Sequence, residues 1–195
     1  MTMSTTHPIE PFAPQDLTMD PFIRRAVIER ATVHEVLMGA QDNLTNVLAV
    51  MLGVSIGSGR ADLVALAGMS AAVAESVSMG GVLYSSTRAE RALETHAGST
   101  RNEARSALAP VQSGAVTFAA AFLAGLIPLA PFVVLPLTVA VPVSIGVSII
   151  ALFVLGAAIG RISGAMWWRD GIRLVLVAGL AAVAAAAIGT AFRIQ

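Results

Sequence analysis

Five apolar stretches, each about twenty residues or longer, constrain this 195-residue chain more than any other feature. They cover 33–56, 63–84, 110–129, 132–159 and 171–192. At about 1.5 Å per residue, each is long enough to cross a hydrocarbon core about 30 Å thick. Composition agrees: 56% of residues are hydrophobic and only 12% are charged, with a mean hydropathy of +0.78. Soluble domains carry about twice that share of charge. The apolar content excludes a disordered chain, and the absence of cysteine excludes a disulfide scaffold. A net charge of zero gives no basis for nucleic-acid binding. The expected fold is an all-α integral membrane protein with five transmembrane helices.

Residues 1–32 are polar and carry Pro8, Pro11, Pro14 and Pro21. They lack the basic start and short apolar run of a signal peptide. Asp20-Pro21 has the form of a helix start, and Phe22, Ile23, Ala26 and Val27 alternate with arginines and Glu29 at helical spacing. The pattern predicts a short amphipathic surface helix leading into the first span. The links at 57–62 and 130–131 are tight, which predicts antiparallel hairpins, and Pro136 and Pro142 predict a tilted or kinked fourth span.

Arginine sets the expected orientation. The chain has twelve arginines and no lysine, a usage best read as genome bias. With a cytoplasmic N-terminus, ten arginines fall on the inner side, and only Arg60 and Arg193 fall outside. Trp167-Trp168 then lies at the inner interface as an anchor. The expected location is a bacterial inner membrane, surrounded by lipid.

Spans three to five hold almost no ionisable residues, with Arg173 near enough to an end to snorkel, and polarity is concentrated in one hairpin. An ionisable group at mid-span costs about 2.5–3.5 kcal/mol on insertion scales, so each one asks for a reason. Span one holds Gln41, Asp42, Asn43, Thr45 and Asn46; span two holds Glu75 between Ser76, Ser78 and neighbouring small residues. Asp42 lies about 12–14 Å from the start of its span and Glu75 about 13 Å from the end of the next, so the two acids share a level. Met38 is four residues before Asp42 and Met79 four after Glu75, one turn toward the same side.

Two carboxylates with two thioethers combine hard and soft ligands and suit a borderline ion such as Fe2+, with manganese, cobalt and zinc as alternatives. A carboxylate in such a place can also exchange a proton for the ion. Asn43, Asn46, Ser78 and Tyr84 are candidate accessory polar groups. A structural reading stands beside this one: Asp42 and Glu75 as interhelical hydrogen-bonding groups, Glu75 with a serine or Asn46, and the methionines as packing.

Other motifs carry less. Gly53-x-x-x-Gly57 reads as close helix packing. His34-Glu35 lacks the second histidine of a zinc-protease helix, and Gly57-Ser58-Gly59-Arg60 lacks the lysine and strand of a phosphate loop. No nucleophile motif or cofactor fingerprint is found, so no enzyme activity or cofactor is expected. His7 and His96 read as solvated. The segment 85–109 is the one substantial loop, with a pair of short helices expected in it. Glu90, Glu94 and Glu103, with His96, could gather cations there, or form a solvated face of Glu–Arg pairs.

The stretch EVLMGAQDNLT at 35–45 resembles the first span of the vacuolar iron transporter family, and AESVSM at 74–79 with Tyr84-Ser85-Ser86 is similar to its second. The segment from Pro110 through Leu126-Ile127-Pro128-Leu129 looks like its third. The resemblance implies a homodimer of five-helix protomers with a metal pathway between subunits, lined by the first spans. It also implies export of ferrous iron, and often manganese, from the cytoplasm against protons. Asp42 matches the family's intramembrane acid, Met79 its transport methionine and Tyr84 its tyrosine.

Three departures stand out. Leu83 occupies the place of the family's glutamate before Tyr84, Glu75 adds an acid where the family has a small residue, and the long glutamate-rich cytoplasmic insert is reduced to 85–109. Glu75 is the expected replacement for the missing carboxylate. The expected function is proton-coupled export of a divalent metal. The rival is a non-transporting membrane subunit whose polar hairpin binds a partner protein, and a weaker third is transport of another cationic solute.

Overall fold

The computed structural model describes residues 21–96 and 109–193, with side chains described for 32–92 and 109–193. Five helices follow one another: α1 (Pro21–Ser58), α2 (Ala61–His96), α3 (Pro110–Val134), α4 (Leu137–Ile162) and α5 (Trp167–Ala191). Four of them, α2 to α5, are long and apolar enough to cross a membrane. The chain is therefore an all-α integral membrane protein. α1 falls outside that group because Gln41, Asp42, Asn43 and Asn46 interrupt its apolar run.

Boundaries differ from the expected ones in three places. α1 is unbroken from Pro21, so the surface helix and the first span are one rod. α2 continues to His96, replacing the start of the expected loop with more helix. The turn between α3 and α4 lies at Leu135-Pro136 rather than 130–131. Pro131 stays helical and its carbonyl accepts the Leu135 N–H at 2.9 Å. Leu135 is extended (φ −119°, ψ 150°), as the residue before a proline must be, and Pro136 opens α4. The other two tight turns use glycine at positive φ, Gly59 at 62° and Gly164 at 72°. α3 starts on Pro110, with the Gln112 side chain accepting the Ala109 N–H at 3.2 Å.

α1 packs against all four other helices, and α2, α3, α4 and α5 follow one another around it. α2 and α5 make no substantial contact, so one side of α1 stays open between them. Two apolar clusters fill the interior. One joins Val47 and Met51 to Val64, Ala72, Leu129, Phe132 and Ala140; the other joins Ala40 and Leu44 to Ala124, Leu152 and Ala178. Small residues bring backbones into contact where lipid leaves no hydrophobic drive between helices. A Cβ on Gly189 would overlap the Gly53 carbonyl oxygen, which puts the Gly53-x-x-x-Gly57 face of α1 directly on α5. Gly80 and Gly114 do the same for α2 and α3: a Cβ on Gly114 would come within 2.8 Å of the Gly80 carbonyl.

Polar crosslinks complete the packing. Asn43 is fully buried, and its Nδ2 donates to the Ala121 carbonyl (2.7 Å), Ser76 Oγ (2.8 Å) and the Ala72 carbonyl (3.2 Å). One side chain thus ties α1 to α2 and α3. Gly125 makes room for it, since a Cβ there would lie 3.0 Å from Asn43 Nδ2. Ser144 Oγ donates to the Pro128 carbonyl at 2.7 Å, joining α4 to α3.

Two substitutions test this packing by thermal unfolding in detergent. Gly189→Leu should cost about 1–3 kcal/mol, the range for overpacking, whereas Gly179→Leu, which points into open space, should be close to neutral. Asn43→Leu should cost about 1–2 kcal/mol through loss of its interhelical bonds, and more than Asn46→Leu on the open face.

Candidate metal site on the open face of the first hairpin

The register of α1 against α2 follows from its contacts. Met79 Sδ lies 3.5 Å from where a Cβ on Gly39 would be, Asn43 meets Ser76, and Asn46 Nδ2 donates to Glu75 Oε1 at 3.0 Å. The two helices run antiparallel, and Asp42 lies one turn along α1 from the Asn46 that meets Glu75. The Glu75 charge is near enough to act on Asp42. Met79 packs against Gly39, on the side of α1 that carries Asn43.

Asp42, Asn46 and Glu75 lie on the open side of α1. Met38, Asp42 and Asn46 fall on one stripe at helical spacing. Met38 is 44% exposed, Asn46 is exposed, and Asp42 and Glu75 are half-buried. Gln41 Nε2 approaches Asp42 Oδ1 at 3.4 Å, a long contact that leaves most of the carboxylate free. Ser78 is exposed on α2, next to Met79.

Three candidates go elsewhere. Asn43, one residue from Asp42, is turned about 100° around α1 into the interior and serves as the crosslink described above. Tyr84 lies nine residues beyond Glu75, about 13 Å along α2, and packs against α3, where a Cβ on Gly114 would lie 3.1 Å from its own Cβ. Glu90 is half-buried further along the same helix, about 22 Å beyond Glu75. The Glu94 and His96 side chains and all of Glu103, together with His7, lie outside the described residues. Leu83, in the place of the family's glutamate, is buried.

Thr117 of α3 is a neighbour that the sequence reading passed over. It is buried, its Cγ2 lies 3.1 Å from the Cβ position of Gly39, and its Oγ1 has no hydrogen-bond partner among the described residues. Nothing in the apolar sequence of its span marks it; only the packing of α3 against Gly39 brings it beside Met79.

Among the described residues there is no group of three or more His, Cys, Asp and Glu side chains able to hold a metal ion. One protomer therefore offers two carboxylates, the Met38 thioether and the Asn46 amide on this face, with the Met79 thioether packed against Gly39. Such a set is partial for an ion that prefers six ligands.

Comparison with known proteins bears on this arrangement. No curated protein matches the chain. The family model described as the VIT family matches residues 33–107 and 92–190, which takes in both helices of the polar hairpin and most of the remaining chain. The residues that carry the resemblance, Asp42 and Met79, lie within the first match. A membrane-embedded bundle with its polar groups gathered on one hairpin is the architecture expected of an ion carrier, and the chain belongs to the VIT family, the vacuolar iron transporters.

Proposed function

We propose that this protein exports a divalent transition metal, Fe2+ or Mn2+, from the cytoplasm in exchange for protons. The observation that carries the reading is the approach of Asp42 and Glu75, from two helices, on one open face, with Glu75 bonded to Asn46 one turn from Asp42. α1 is then the fifth membrane-crossing helix, and the arginine distribution supports a cytoplasmic N-terminus. Asp42 and Glu75 supply oxygen ligands, Met38 and Met79 supply sulfur, and Asn46 holds the Glu75 carboxylate in place. Ser78 lies within the same face as an accessory group. Protons compete with the ion for the same carboxylates, which links binding of one to release of the other.

A charged face cannot stay against hydrocarbon. We assign its cover to a second copy, which makes the working unit a homodimer with the α1–α2 hairpins facing across a two-fold axis. Each copy then completes the partial ligand set of the other. Glu90, with Glu94 and Glu103, would gather cations at the cytoplasmic mouth. The location that suits the composition is a bacterial inner membrane.

The partial ligand set and the buried Leu83 also favour a second reading, a membrane subunit that uses the open hairpin to bind a partner protein without transport.

Reconstitution into liposomes holding a metal-sensitive dye and a pH dye tests both. Metal entry should alkalinise the lumen. Asp42→Ala and Glu75→Ala should each lower flux at least tenfold, and Asn46→Ala should lower it less. Normal flux in both carboxylate variants overturns the site. Absence of flux in the unmodified protein, with a stably co-purifying partner, supports the second reading.

A further inference from the structure

The outward surface of α5 carries a second cluster of charge. α5 turns most of its surface outward. Trp168, Ile172 and Leu176 form one ridge along it, and Arg169, Arg173 and Val177 the next. A shallow groove of about 290 Å³ runs between these ridges. On the other flank of the Ile172–Leu176 ridge, a groove of about 330 Å³ separates α5 from α4, lined chiefly by Ile150, Phe153 and Val154 with Val175. Two apolar channels thus lie side by side with the Ile172–Leu176 ridge between them, the first lined at its head by Arg169 and Arg173.

The charges at their head are of one sign. The Arg169 guanidinium stacks on the Trp168 ring at 5.3 Å from the centroid, which leaves its N–H edges outward. Arg173 is exposed one turn further along the same side. Arg161 stacks on Trp167 at 5.6 Å. Asp170 is the nearest acid in sequence, but it packs toward α4, with Oδ2 2.8 Å from the Cβ position of Gly160. Among the described residues neither Arg169 nor Arg173 forms an ion pair with a carboxylate.

We propose that this face binds an anionic diacyl phospholipid. Its phosphate is held by Arg169 and Arg173, and its two chains lie on either side of the Ile172–Leu176 ridge. The indoles of Trp167 and Trp168 suit headgroup depth, and basic pockets at helix ends are where anionic lipids are recognised. A free phosphate would satisfy the arginines but leave both channels uncovered. A second copy meeting this patch about a two-fold axis would set arginine against arginine. The inference is independent of the transport reading.

Native mass spectrometry of the full-length protein in mild detergent, with equimolar dioleoyl-phosphatidylglycerol and dioleoyl-phosphatidylcholine, tests it. The unmodified protein should retain the anionic lipid over the zwitterionic one by roughly tenfold. The R169Q/R173Q double variant should retain the two equally, R169K/R173K should keep most of the preference, and R60Q at the opposite end should keep all of it. L176W, which fills the channels, should lower retention of both lipids while helical circular dichroism stays unchanged. Equal retention by the unmodified protein, or an unchanged preference in R169Q/R173Q, overturns the proposal. So does a change of oligomeric mass in R169Q/R173Q, which would assign the face to a second copy.

Discussion

A helix carrying a glutamine, an aspartate and two asparagines can lie within an apolar bundle only if its neighbours take up its polar atoms. Every other feature of this fold follows from how α1 meets that condition. Four helices surround it on three sides, and Asn43, the most deeply placed of its polar residues, spends its amide hydrogens on α2 and α3. In hydrocarbon an unpaired N–H costs several kcal/mol, so these bonds fix the rotation of α1, while the Asn43 side-chain oxygen has no partner among the described residues. Once that rotation is set, Asp42 and Asn46 have one direction left to face.

The rotation explains how neighbouring residues take different roles. Asn43 points inward and holds helices together. Asp42 and Asn46, about 100° and 60° away around the axis, point to the open side and meet Glu75. A structural polar residue and one proposed to act on an ion can thus lie side by side in sequence, and burial separates them. In a chain of the VIT family, the exposed set is the one we propose for ion passage, with the buried set holding the helices beneath it.

Much of this was legible in the sequence. The count and order of the helices follow from five apolar runs, and the shared level of Asp42 and Glu75 follows from helical rise and a tight hairpin. Close packing at Gly53 and Gly57 was readable from their spacing, although their partner, Gly189 of α5, was not. Helix ends were harder. Pro131 looks like a breaker, yet a proline can remain in the last turn of a membrane helix when its carbonyl still finds a donor. The continuation of α2 to His96 was masked by its charge, because polarity marks where a helix leaves the apolar phase rather than where it ends. Asn43 could not be told from Asn46 by residue type, since rotation about α1 is set by contacts distant in sequence. Thr117 carried no signal at all.

The glycine contacts divide the bundle mechanically. Gly53 with Gly189 locks α1 to α5, and Gly156 and Gly160 seat α5 on α4; Gly80 with Gly114 locks α2 to α3. Backbones in direct contact resist sliding, whereas the seam between these two groups is bridged by side chains, Asn43 with its hydrogen bonds to α2 and α3 foremost among them. The Asn46–Glu75 hydrogen bond crosses that seam. Any slip that lengthened this bond would free the Glu75 carboxylate from its amide partner, which ties the local geometry of the seam to the charge presented on the open face.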